Sequence, residues 1–197
     1  MDHYQIISSN FQATIESIAM SVDDLAQPLG RASEIMGSAL LEDRKILCCG
    51  AGPDGALGML FTANLLDHFE RERPALPALC LTADGASLSA IANSSGMADI
   101  FSRQVRALGQ SGDVLFCIDS NQHPDPCVQR AIQAAAERGL VVVSLAAGAG
   151  SGGQEDVIIT VNASRRHQAV ELYTMIINSL CELIDHKLFG PTHQENQ

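Results

Sequence analysis

The segment best suited to chemistry in this sequence is glycine-rich: CGAGPDG, residues 49–55, lies between an apolar run and a predicted helix. Such a turn presents backbone N–H groups and the positive end of a helix to an anion, commonly a phosphate. Its spacing is not the GxGxxG of dinucleotide-binding turns. The predicted ligand cleft here comprises Gly50, Ala51, Gly52 and Asp54, and a ligand phosphate would meet the like charge of Asp54.

A second polar segment, DSNQHPD at 119–125, follows another apolar run. Ser120 and Asn121 can hold sugar hydroxyls, whereas Asp119 adds a further negative charge. The alternative is structural, because aspartates in such loops often cap helices or form turns. Asp54, Asp119 and Asp125 all fit that alternative, and the sequence leaves both interpretations open.

Outside these two loops the sequence offers little catalytic chemistry. Glu171, near the start of the last predicted helix, is the one carboxylate placed for catalysis, although an acid there also offsets the helix dipole. The basic run at 165–167 is interpreted as a solvated helix start. The six cysteines form no CxxC pair and the six histidines are scattered, which predicts buried reduced thiols, no metal site and no cofactor.

Five short apolar runs alternate with helical patterns through the middle of the chain. Runs without polar alternation are typical of strands buried on both faces of a parallel sheet. The runs lie at 45–49, 78–82, 113–118, 140–145 and 156–161, and the helix candidates between them at 55–70, 86–93, 97–108 and 125–138. This order predicts a three-layer α/β/α sandwich with a five-stranded parallel sheet, whose ligands bind at the carboxyl ends of the strands.

Helices flank this core at both ends, and we predict a single domain over residues 1–197. The N-terminal part, 1–42, contains a helix from Ile7 to Leu25 and a second from Arg31 to Leu41, and the α/β core spans 45–161. The last helix, 166–188, is apolar nearly all round. This pattern predicts burial in a subunit interface; the alternative is a central core helix of the monomer.

Composition excludes several classes of protein. The net charge of −11 disfavours direct binding to nucleic acid. No apolar stretch approaches the roughly 20 residues of a membrane helix, and the polar first residues do not resemble a signal peptide. We therefore expect a cytoplasmic protein that does not associate with membranes.

Several motifs, recurring in order over most of the chain, carry a family resemblance. They are KILCCGAG, LLDHFERERPALPAL, SAIAN, RQVRALGQSGDVL and NSLCELIDHKLFG. They resemble the bacterial sugar-isomerase (SIS) family that contains phosphoheptose isomerase and the DnaA initiator-associating protein (DiaA). The resemblance implies the SIS fold, a homotetramer with active sites between subunits and, in the isomerases, a zinc site.

The functional positions carried over from the isomerases have changed. In the first loop, the family's asparagine and phosphate-binding serine correspond to Ala51 and Asp54, and the acid of its IAND motif corresponds to Ser94. Its phosphate loop corresponds to residues 119–125. The catalytic and metal-binding positions, on the helix after the first loop and on the last helix, are Leu60, Asn64, Val170 and Asn178. Because base, acid and cation are all missing there, these changes predict a protein without isomerase activity.

Asn178 and the HKLFG ending resemble instead the initiator-associating branch. That resemblance implies a homotetrameric scaffold that binds DnaA and promotes replication initiation, with Leu188 and Phe189 as the predicted contacts or, alternatively, as ordinary interface packing. Two other functions stay open. One is isomerisation of sedoheptulose 7-phosphate in heptose and lipopolysaccharide synthesis, and the other is sugar-phosphate binding by a regulator.

Overall fold

The computed structural model describes residues 2–147, 153–163 and 165–191. All five predicted strands are present: β1 (Ile46–Gly50), β2 (Ala78–Cys80), β3 (Val114–Asp119), β4 (Val141–Ala146) and β5 (Val157–Thr160). They form one parallel sheet in the order β2-β1-β3-β4-β5. The chain order reverses between β1 and β3, and ligands of such sheets bind at the carboxyl ends of the strands at this switch point.

In the part of the chain that the structure describes, six α-helices cover the two faces of the sheet. They are α1 (His3–Leu41), α2 (Pro53–Leu66), α3 (Gly85–Ser95), α4 (Ser102–Leu108), α5 (Pro126–Arg138) and α6 (Arg166–Phe189). One core cluster joins α1, α2 and α6 to one face, and a second joins α4 and α5 to the other, with α3 packed against it. Successive residues of a strand point to opposite faces of the sheet. Cys48 therefore lies in the first cluster and Cys49 in the second. The three-layer α/β/α prediction is therefore confirmed, and all six cysteines are buried and free.

Two helix predictions need correction. The N-terminal part forms one helix of 39 residues, with Pro28 inside it, instead of two. A proline weakens a helix interior, but Leu25 and Met36, on either side of it, are buried in the same core cluster and hold both halves in line. The predicted helix 97–108 is interrupted, because Met97–Asp99 forms a 3₁₀ turn before α4.

The last helix lies where it was predicted, but its apolar surface is largely used within the chain. Tyr173, Ile177 and Leu180 are fully buried against α1, α2 and the sheet, as the core-helix alternative expects. Large exposed apolar side chains are found instead on the first half of α1, where Tyr4 is 79% and Phe11 69% exposed. A subunit interface along α6 stays a prediction.

The helices were also compared with the length and apolar character of a membrane span. Within residues 2–147, 153–163 and 165–191, none of them combines the length and apolar character needed to cross a bilayer.

Candidate functional site

The glycine-rich turn folds Asp54 back over the end of β1. Gly52 has a φ of 59°, which favours glycine, and α2 begins at Pro53 with Asp54 in its first turn. A Cβ at Gly50 would lie 2.7 Å from the carbonyl carbon and oxygen of Asp54, so this close approach requires glycine. The Asp54 carboxylate is fully buried as a result.

The second loop is organised by the Asp119 carboxylate at the end of β3. Its Oδ1 accepts hydrogen bonds from the backbone N and the Nδ2 of Asn121, at 3.0 and 2.8 Å, and its Oδ2 accepts from Asp125 N at 2.7 Å. Burial raises the pKa of Asp119 above its ordinary value, a change that these hydrogen bonds oppose. Asp119 and Asn121 are thus engaged with each other, as the turn interpretation expects.

Asp125 also has a structural role. Its Oδ1 accepts from Cys127 N at 2.9 Å and caps α5, which begins at Pro126 and ends before Gly139, at a φ of 73°. The structural alternative considered for Asp125, a helix cap, is therefore confirmed.

Asp54 and Ser120 meet between the two strand ends, and Arg166 joins them from the first turn of α6. Asp54 Oδ2 accepts from Ser120 N at 3.0 Å and from Arg166 Nη2 at 3.4 Å. Arg166 Nε donates to Ser120 Oγ at 2.8 Å. The site therefore contains a cation, and the expectation that the basic run 165–167 is only a solvated helix start is wrong for Arg166.

Tyr173 was also missed. Its hydroxyl donates to the carbonyl of Asp119 at 2.9 Å, and burial raises its pKa well above the ordinary value, with the charges of Asp54 and Asp119 adding to the effect. In the sequence it looked like one apolar residue among many. Its hydrogen bond fixes α6 against the end of β3.

Two predicted site residues contact other parts of the chain. Glu171 is exposed and accepts from Thr14 Oγ1 of α1 at 2.6 Å. Ser94 is exposed near the end of α3, where its Oγ lies 3.4 Å from Ile91 O. Neither forms a hydrogen bond or ion pair with Asp54, Ser120 or Arg166.

The zinc site that the resemblance implies in isomerases does not fit the residues present. The four positions hold two aliphatic side chains, Leu60 and Val170, and two amides, Asn64 and Asn178. Zinc prefers thiolate, imidazole and carboxylate ligands. Asn64 directs its Nδ2 toward Cys181 Sγ at 3.9 Å. Among the described residues, no group of three or more His, Cys, Asp or Glu could hold a metal ion.

The predicted partner contacts are engaged within the chain. Leu188 and Phe189 are half-buried and pack against the core cluster around α1, α2 and α6. Arg71 lies over the Phe189 ring at 5.7 Å from its centroid and donates to Gly190 O at 2.9 Å.

This parallel sheet, with the glycine-rich turn and the 119–125 loop at its switch point, defines a class of protein. The SIS domain family model matches residues 10–147, and the chain belongs to that family. Within it, the chain falls in the phosphoheptose isomerase group. It is 37% identical over 194 residues to the phosphoheptose isomerase of Pseudoalteromonas atlantica, covering 96% of this chain and 98% of that protein.

Further relatives extend this similarity. The phosphoheptose isomerase of Coxiella burnetii is 37% identical over 193 residues, covering 95% of this chain and 96% of its own. The solved structure of a phosphoheptose isomerase from Francisella tularensis superposes with a TM-score of 0.88 at 31% identity, covering 94% of this chain and all of that chain.

The expected DnaA scaffold without enzyme activity is contradicted by these relatives. They match nearly the full length of the chain and are named as enzymes, and the same comparisons offer no support for DnaA binding. The expectation of a DnaA scaffold, drawn from Asn178 and the HKLFG ending, is therefore wrong.

Proposed function

We propose that this chain is a sugar-phosphate isomerase of the phosphoheptose isomerase type, interconverting sedoheptulose 7-phosphate and the corresponding aldoheptose phosphate. The observation that carries the proposal is full-length similarity to proteins of that name, 37% identical over 194 residues. The strand order supports it, because parallel sheets bind their ligands at the switch point that lies here between β1 and β3.

Arg166 is the cleft residue best suited to the phosphate of such a substrate. Its guanidinium is held by Ser120 Oγ at 2.8 Å, yet its side chain is 46% exposed. A guanidinium binds phosphate oxygens through paired N–H groups. We propose that Arg166 holds the phosphate while the sugar extends over the 119–125 loop.

The reaction also needs a group that moves a proton between two neighbouring carbons. Glu171 is our candidate, because its carboxylate is exposed and aligned by Thr14. It faces α1, so the proposal requires the substrate to reach from the strand ends toward that helix. No metal takes part in this scheme, since the four positions considered above do not fit one.

A second candidate, binding of a sugar phosphate without turnover, is favoured by those same four side chains. Leu60, Asn64, Val170 and Asn178 supply neither a base nor a metal ligand. The two candidates share the cleft and differ only in proton transfer.

An assay in D₂O separates them. The protein is incubated with sedoheptulose 7-phosphate, and conversion and deuterium incorporation next to the carbonyl are followed by NMR and mass spectrometry. An isomerase exchanges this proton with solvent as it converts the sugar. Deuterium incorporation and aldose formation support the enzyme, whereas binding without either supports the second candidate and sinks the first.

Matched variants locate the activity. Arg166→Gln should raise KM by about tenfold or more if the guanidinium binds the phosphate. Arg130→Gln is the control, because Arg130 is similarly exposed and pairs with Asp99 outside the cleft. Glu171→Gln should lower kcat about 100-fold or more as a lost acid–base group. Unchanged kinetics in both cleft variants would place the activity elsewhere.

We also propose that the chain self-associates, in keeping with the homotetramer that the resemblance implies. Support comes from the first half of α1, where Tyr4, Phe11, Ile15 and Met20 are all exposed. Light scattering should give a mass of about four chains, and Phe11→Glu should lower it. A monomeric wild-type protein would refute this proposal.

A further inference from the structure

One buried carboxylate lies where the cleft should accept an anion. The first turn of α2 points its N–H groups and positive dipole end toward the strand ends. Asp54, in that first turn, places a fully buried carboxylate beside this helix end, where it accepts from Ser120 N and from Arg166. The chain therefore already places a negative charge of its own, the Asp54 carboxylate, next to the predicted anion site.

Three segments direct donors at this internal anion. The loop after β3 contributes Ser120 N, at 3.0 Å from Asp54 Oδ2, and α6 contributes Arg166 Nη2 at 3.4 Å. Ser120 Oγ, in turn, accepts from Arg166 Nε at 2.8 Å. A backbone amide and a guanidinium together form the donor set that binds carboxylates and phosphates in general.

Asp54 is incompletely satisfied at this position. Its Oδ1 is buried and has no hydrogen-bond partner among the described residues. A buried carboxylate oxygen without a donor is destabilising. The contact to Arg166 is long, and the guanidinium is half exposed. The carboxylate is therefore not the best available anion for these donors.

We propose that Asp54 acts as an internal competitor of the ligand's phosphate and thereby sets the affinity of the cleft. The Asp54 carboxylate engages Arg166 and Ser120 N, and an incoming phosphate must displace it against like-charge repulsion. This inference takes one point from the proposed function, namely that the ligand of the cleft carries a phosphate. It makes Asp54 the specificity-determining residue of the cleft.

Direct binding measurements test this without any need for turnover. Inorganic phosphate and sedoheptulose 7-phosphate are titrated by calorimetry into wild type, Asp54→Ser and Asp54→Asn, with sedoheptulose as the uncharged probe. Both variants should bind the two phosphate probes on the order of 100-fold more tightly than wild type, since a like charge in contact costs several kcal/mol. Sedoheptulose binding should be unchanged.

Two further proteins complete the design. Asp113→Asn removes another buried carboxylate, paired with Lys45 before β1 and β3, and should gain no phosphate affinity. Asp54→Ser combined with Arg166→Gln should lose the gain. Asp54→Asn preserves the shape and the bond from Ser120 N, so the test survives if Asp54→Ser does not fold.

The outcomes separate this inference from the proposed function. Tighter phosphate binding by the Asp54 variants supports the competitor even if wild type shows no turnover, in which case only the isomerase proposal falls. Phosphate affinities equal to wild type in a folded Asp54→Asn protein overturn the competitor, even if wild type isomerises its substrate.

Discussion

Among the described residues, two buried aspartates pair with arginines, and the surroundings of these two pairs differ. Asp185 on α6 binds Arg73 Nε at 2.7 Å, and the Arg73 side chain is 1% exposed. The other Arg73 nitrogens donate to backbone carbonyls of Asn64, Leu65, Asp67 and Pro74. Asp54 is buried just as deeply, but its partner Arg166 is 46% exposed and lies 3.4 Å away.

The difference shows that an Asp–Arg pair can either stabilise the interior of the fold or leave an arginine available to a ligand. Arg73 is surrounded by acceptors of its own chain, so no position is left for a ligand. Within the described residues, Arg166 bonds only to Ser120 and Asp54, and its side chain is partly open to solvent. A third pair, Lys45 with Asp113, lies between these extremes, with a cation 29% exposed.

The largest effect is expected at the enclosed pair. Arg73→Met leaves the Asp185 charge buried and several carbonyls without a donor, so the free energy of unfolding should fall by about 3–5 kcal/mol. Urea denaturation followed by circular dichroism measures it. Arg106→Met, at an exposed pair with Glu137, serves as the control and should change stability by less than about 1 kcal/mol.

Adding Asp185→Leu to Arg73→Met should recover part of the loss, because the unpaired buried charge is then gone. A loss below about 1 kcal/mol in Arg73→Met would contradict this comparison, because burial of the cation would then not determine how much each pair contributes to stability.

The intermediate pair should give an intermediate, pH-dependent effect. Asp113 accepts from Lys45 N, Lys45 Nζ and Gln110 N at 3.1, 2.5 and 2.8 Å. Burial favours a higher pKa for Asp113, but these hydrogen bonds outweigh it and hold the pKa below the ordinary value. At pH 7, Asp113→Asn should therefore destabilise the protein by about 2 kcal/mol.

The sign of the pH dependence follows from that lowered pKa. The contribution is complete above the ordinary aspartate pKa, about 3.9, and is lost as the pH falls through the lower folded value. The stability difference between wild type and Asp113→Asn should stay constant from pH 7 to about 5 and narrow below about 4. Urea titrations across this range measure it, and a constant difference at pH 3 would contradict the assignment.

Most of the fold could be predicted because burial leaves a local pattern. The runs that form β1, β3 and β4 are continuous apolar segments, and only a sheet covered on both faces accommodates them. The single long α1 could not be predicted, since Pro28 is a local signal for a break. What overrides it is packing of Leu25 and Met36 into one distant core.

The site was less accessible to sequence reasoning. The capping role of Asp125 is local and was among the alternatives considered. Arg166 joins a carboxylate 112 residues earlier in the chain. That contact depends on where β5 lies in the sheet, because β5 determines where α6 begins. A basic run at a helix start carries no local sign of it.

The smallest effect is expected at the open pair. Arg166→Gln removes the guanidinium beside Asp54, but water can reach the vacated edge, and Ser120 N still donates to the carboxylate. The free energy of unfolding should fall by about 1 kcal/mol or less. Measured in urea beside Arg73→Met, a loss near 3 kcal/mol would make Arg166 a structural residue like Arg73. A small loss would leave its exposed N–H groups free to serve a ligand, because the fold does not depend on them.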